Sequence, residues 1–124
     1  MISGEMMKEI IRNSYLENEN ILIVGYGKSG VKSSELAKRL GATVFVYDDN
    51  KDVEVNKEVV DKIYNNIEDI DFTNINITVL SPGVPLESDI AQKSIKSGVE
   101  TIGEIEFGFR YSYRNNTCNN RNKW

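Results

Sequence analysis

Histidine is absent from these 124 residues, and cysteine occurs once, at Cys118. Without imidazole there is no histidine acid–base catalysis and no His/Cys zinc site within the chain. A single thiol forms no internal disulfide, and its place in a polar stretch marks it as incidental rather than nucleophilic. Proline is scarce, and both copies, Pro82 and Pro85, fall in one short segment. No apolar run approaches the roughly 18 residues of a membrane span, and residues 1–19 lack a signal-peptide core. A cytoplasmic protein with no membrane partner is therefore expected. Positive charge is also short: 15 Lys and Arg against 19 Asp and Glu give a formal charge of −4. A nucleic-acid surface needs a basic footprint, so no nucleic-acid partner is expected.

What remains is an ordinary globular balance, 40% hydrophobic and 27% charged, at the length of one domain. Met6, Met7, Ile10, Ile11 and Tyr15 recur at helical spacing and predict an opening amphipathic helix. Ile21–Val24 is apolar throughout, as in a strand buried on both faces of a parallel sheet. Ser29–Leu40 reads as a helix stopped by Gly41, and Thr43–Tyr47 as the second strand. Val55–Tyr64 is expected to be helical, with Val59, Val60 and Ile63 inward. Residues 67–74 read as loop or a weak edge element. Ile75–Leu80 predicts a strand, Ser88–Ser97 a helix ended by Gly98, Val99–Ile102 a strand and Glu104–Tyr111 a helix. Strands alternating with helices imply an α/β fold, a Rossmann-like doubly wound and mostly parallel sheet with flanking helices.

Gly25-Tyr26-Gly27-Lys28-Ser29-Gly30 follows the first strand and opens a helix, the context in which such a loop cradles a pyrophosphate. Gly25 suits the tight turn, Gly27 the close approach of a phosphate, and Gly30 the packing of helix on strand. Lys28 is a candidate cation beside the phosphates or a solvated lysine, and Ser29 a candidate helix N-cap. Asp48, with Asp49 and Asn50 after it, ends the second strand, where an acid reads a ribose or a base. On the residues alone, NAD and a uridine nucleotide are equally acceptable there. Ser81-Pro82-Gly83 ends another strand at the same carboxyl edge, where Pro82 stiffens the loop and Gly83 permits close backbone approach. Phe107, Phe109 and Tyr111 read as core or interdomain packing.

Taken in order, ILIVGYGKSG, VFVYDD, VLSPGVP and ETIGEIEFG resemble the N-terminal domain of the D-glutamate-adding branch of the Mur ligase family, from Asn20 to about Tyr111. The resemblance implies a domain that holds the uridine diphosphate portion of UDP-MurNAc-L-Ala rather than NAD. Carried over by position, Lys28 and Ser29 would face the diphosphate, Asp48, Asp49 and Asn50 the uracil, and Ser81, Pro82 and Gly83 the other side of the nucleotide. Asp49 and Asn50 depart from the Thr/Arg-like residues common there. ATP and magnesium belong to the central and C-terminal domains of the full-length family. No cofactor is expected in this chain, which is expected to be inactive alone. An NAD(P)-binding domain of an oxidoreductase or sensor is the alternative, but it has no use for SPGVP and GEIE at these positions.

The expected organisation is an N-terminal helix and linker over 1–20, the Rossmann-like domain over 21–112, and a polar tail over 113–124. Asn116–Trp124 loses the apolar pattern abruptly. Back-translated with one base dropped, it can be read as Ile-Leu-Val-Ile-Thr-Gly-Thr-Asn-Gly, the strand and opening of the family's ATP loop. A truncating one-base frameshift between about Arg110 and Asn116, in the gene or its sequencing, is the expectation.

Overall fold

The computed structural model describes the backbone of residues 15–115 and the side chains of residues 15–111. Met6, Met7, Ile10 and Ile11 of the expected opening helix, and the tail from 116 with Cys118, lie outside the described residues. Tyr15 lies in a turn, its ring edge-on to Tyr111 at 5.8 Å.

Among the described residues five strands and three α-helices follow in the order β1 (Asn20–Val24), α1 (Lys28–Arg39), β2 (Thr43–Tyr47), β3 (Lys62–Tyr64), β4 (Ile77–Leu80), α2 (Asp89–Lys96), β5 (Glu100–Gly103) and α3 (Glu104–Asn115). All pairings are parallel, in the order β3-β2-β1-β4-β5. The α/β Rossmann-like class is as expected. Parallel strands must be covered on both faces, which explains why β1 and β4 carry unbroken apolar runs. Successive residues of β1 feed opposite cores. Ile21 and Ile23 pack with Leu36 and Ala37 of α1, with Leu40 just past its end, and with Phe107 of α3. Leu22 and Val24 pack with Ile90 and Ala91 of α2 and with Phe72. Each such side chain contributes roughly 1.5–3 kcal/mol on burial.

Among the described residues no buried side-chain nitrogen or oxygen lacks a hydrogen-bond partner. Ser94 of α2 donates to Thr78 Oγ1 of β4 at 2.7 Å and meets Thr101 Oγ1 of β5 at 2.8 Å, tying that helix to the sheet. Gly41, at φ +98°, ends α1 in the left-handed conformation expected of its C-terminal stop.

One element departs from expectation. Val55–Tyr64 is not a helix: residues 57–59 form a turn in otherwise irregular chain, and Lys62–Tyr64 is the edge strand β3. Val60 is buried in the core and Val59 and Ile63 pack against it, so their spacing signalled burial correctly and the backbone wrongly. Asn56 Oδ1 accepts from Glu58 N and Asn50 Oδ1 from Asp52 N, local bonds that compete with a helical ladder. Residues 67–74 hold two short 3₁₀ turns, Ile67–Asp69 and Phe72–Asn74, the second burying Phe72. Among Phe107, Phe109 and Tyr111, the first and last are buried, while Phe109 is 71% exposed. Among the described residues no helix is long and apolar enough to cross a membrane.

Candidate functional site

The strand order reverses direction between β1 and β4, so the loops leaving those two strands part and leave a crevice at the carboxyl edge, where open α/β sheets take their ligands. The loop after β1 is only three residues long. Gly25 N donates to Tyr47 O at 2.8 Å, extending the sheet by one rung. Gly25 then turns at φ +91°, a conformation that strains any side chain. A Cβ on Gly30 would lie 1.9 Å from Gly25 O, so only glycine lets α1 sit this close to the loop.

Gly27, extended at φ −85° and ψ −160°, is the N-cap of α1 and gives it no side-chain hydrogen bond. Ser29 is therefore not the cap; it lies inside the helix as its second residue. The cap position went to Gly27 because the chain leaves the extended conformation there, one peptide before Lys28. A helix's first N–H groups have no intrahelical acceptor. Here they coincide with the positive end of the helix dipole and a first turn free of acid. A Cβ at Gly27 would meet nothing within 4 Å, so the space over the loop is open.

Beside this loop lies a cleft of about 310 Å³ lined by Gly25, Tyr47, Asp48, Asp49, Gly83 and Asp89, among others. Burial and the nearby carboxylates of Asp49, Asp48 and Glu68 push the Tyr47 phenol up, keeping it a neutral donor at ordinary pH. Asp48 Oδ2 accepts from Tyr26 N and Oδ1 from Asn50 N, both at 2.9 Å. An ionised carboxylate has about four acceptor positions, so capacity for a ligand donor is left. The cleft is thus acidic where β2 ends and α2 begins, and Gly25, the first residue of the loop that leads to α1, lies in its wall.

The structure brings Gly25, Asp48, Asp49 and Gly83 onto this one cleft. Gly27, Lys28, Ser29 and Gly30 lie at or beyond the head of α1, outside its lining. Asn50 turns its backbone to Asp48 and its side chain to Asp52 N. Ser81 also donates to Gly25 O at 3.0 Å. Ser81 and Pro82 line a second cavity of about 290 Å³ with Leu86, Glu104 and Ile105, across the loop from the first. Sequence reasoning missed Tyr47 and Asp89. Tyr47 was legible as the residue before Asp48, but Asp89 read only as the start of a helix.

The Mur ligase MurD-like N-terminal domain family matches residues 19–103. The UDP-N-acetylmuramoylalanine–D-glutamate ligase of Caldicellulosiruptor saccharolyticus is 34% identical over 104 residues, 77% of this chain and 23% of that protein. The enzymes of the same name from Thermoanaerobacter sp. (33%; 78% of this chain, 23% of theirs) and Alkaliphilus metalliredigens (34%; 78% and 23%) are similar in the same region. The chain spans about a quarter of the length of these relatives. A shikimate dehydrogenase from Aquifex aeolicus covers 90% of this chain and 53% of its own at a TM-score of 0.47 and 14% identity, too loose to bear on function. With its sheet order, glycine loop and the family match over residues 19–103, the chain belongs to the Mur ligase MurD-like N-terminal domain family.

Proposed function

We propose that the carboxyl edge of this domain binds the uridine diphosphate end of UDP-MurNAc-L-Ala, as the substrate-holding part of a ligase that adds D-glutamate. The observation that carries this is the pairing of two unlike surfaces. An uncapped, acid-free helix start suits a diphosphate, and the acid-walled cleft next to it suits a base or sugar that donates hydrogen bonds. Placed the other way round, the diphosphate would face Asp48, Asp49 and Asp89.

The rest of the reaction is proposed from the family alone. ATP and magnesium would convert the substrate carboxylate to an acyl phosphate, which the D-glutamate amine attacks. No Gly-x-x-x-x-Gly-Lys-Ser/Thr loop occurs in these 124 residues, and we assign this chain binding without turnover. ATP-dependent phosphate release stimulated by D-glutamate would refute that assignment. The binding claim is tested by calorimetry with UDP-MurNAc-L-Ala and NADH. The expected Kd for the UDP-sugar is about 10 μM to 1 mM, or about −7 to −4 kcal/mol. Tighter binding of NADH would overturn the reading.

A further inference from the structure

Two side chains assigned to ligand contact by their positions are occupied elsewhere, and both hold the same peptide group. The carbonyl of the Gly25–Tyr26 peptide accepts from the Ser81 hydroxyl at 3.0 Å, and its N–H donates to the Asp48 carboxylate at 2.9 Å. Ser81 follows β4 and Asp48 follows β2, the two strands that flank β1. The loop is therefore gripped from both sides of its own strand. Ser81 N donates to Val24 O and Gly25 N to Tyr47 O, so each gripping residue is itself fixed by, or adjacent to, a sheet-type rung. Gly30 closes the third side, its Cα facing Gly25 O too closely for any Cβ. The phenol of Tyr26 accepts from Asn56 N at 3.2 Å, holding the next residue of the loop as well.

A peptide plane fixed at both ends sets the direction in which the chain leaves it. Beyond Tyr26 the chain has one residue, Gly27, before α1 starts. We infer that Ser81 and Asp48 are positioning residues for the phosphate end of the site: they hold the Gly25–Tyr26 peptide and thereby aim the backbone donors at the head of α1. This rests on the nucleotide reading above and changes what these residues do within it. Asp48 acts on the diphosphate through Tyr26 N–H, and Ser81 through Gly25 O.

The charge of Asp48 makes the inference separable from a simple electrostatic effect. Asp48→Asn removes a negative charge from the neighbourhood of a bound diphosphate, which by itself strengthens binding. It also leaves one amide oxygen for two backbone donors and turns an NH₂ group toward one of them, which loosens the loop. The two effects have opposite signs.

The experiment compares UDP with uridine, by calorimetry or ¹⁵N chemical-shift titration, on the full chain and on Asp48→Asn and Ser81→Ala. The ratio of the two affinities isolates the diphosphate. The expected result is that Ser81→Ala holds uridine within about twofold while UDP weakens by about tenfold, and that Asp48→Asn, whose carboxylate also walls the cleft, weakens UDP about tenfold more than it weakens uridine, so the ratio collapses in both. A general loss of structure would lower both ligands together, and a base- or sugar-contacting role would lower uridine with the ratio kept; either result overturns the inference. If Asp48→Asn does not fold, Ser81→Ala carries the same comparison. Wild-type protein that shows no preference for UDP over uridine overturns instead the assignment of the α1 head as the diphosphate site.

Discussion

Of the helices that start at the carboxyl edge of the sheet, α1 and α2 start differently. α1 begins at Gly27, with no side-chain cap, no acid in its first turn and Lys28 as its first residue. α2 begins at Ser88, whose hydroxyl accepts from Ala91 N at 3.4 Å, with Asp89 directly after it. The second helix is finished within the chain: a hydroxyl meets one of its free N–H groups and a carboxylate offsets its dipole. The first is left for something else to finish. Its loop is also held from three sides, gripped by Ser81, Asp48 and the close approach of Gly30. Rigid backbone with unused donors is a property of a binding loop, and a capped start is a property of a structural turn.

The largest effect that would break this contrast is at Gly30. Gly30→Ala places a methyl group 1.9 Å from Gly25 O, a collision between backbones that neither helix nor loop relieves cheaply. We expect a loss of about 3 kcal/mol in urea unfolding, together with loss of UDP binding. A stability change below about 1 kcal/mol would show that α1 moves freely against its loop. Next in size is Ser88→Ala, which removes the cap of α2. The bond is long, so the expected cost is at the low end of capping energies, about 0.5 kcal/mol. A thermal midpoint unchanged by this substitution would mean that the two helix starts do not differ in the way described.

The smallest effect lies at the far end of α1. Asp61 accepts from Lys38 Nζ at 2.6 Å and Val44 N at 2.8 Å. Partial burial pushes its carboxyl up, but these two donors outweigh burial and hold it below the usual carboxylate range. A lowered folded value stabilises the protein above the unfolded pKa of about 3.9, and that contribution is lost as pH falls through the folded value. Both side chains are a third or more exposed, so only a few tenths of a kcal/mol are expected. Asp61→Asn should lower stability near neutrality by that amount and flatten the acid limb, so that the two proteins converge at low pH. An unchanged acid limb would contradict the assignment.

Most of the fold was legible because its signals were redundant. β1 announces itself through Ile21–Val24 and again through the glycine loop it feeds, and Gly41 and Gly98 mark where helices stop. The segment from Val55 to Tyr64 had one signal only, apolar spacing, and that spacing reports which residues are inward rather than what backbone carries them. A three-residue strand such as β3 is too short to show a period. Of the expected site positions, Gly25, Asp48, Asp49 and Gly83 line one cleft, but what each side chain bonds was not legible. Nothing in Ser81 or Asp48 as letters says that each hydrogen-bonds the same peptide. Ser29 was a reasonable cap by composition, and the cap fell two residues earlier because Gly27 ends the extended segment.

The central claim, that the head of α1 is left uncapped for a diphosphate, is tested most directly by finishing that helix from within. Gly27→Asp supplies the missing cap at a position whose backbone is already extended and where a Cβ meets nothing within 4 Å. The account predicts that stability and binding move in opposite directions. Unfolding should become harder by about 0.5 kcal/mol, while UDP affinity falls by at least about tenfold as the carboxylate takes the place of the phosphate. A variant that keeps its UDP affinity within about twofold while gaining that stability would contradict the claim.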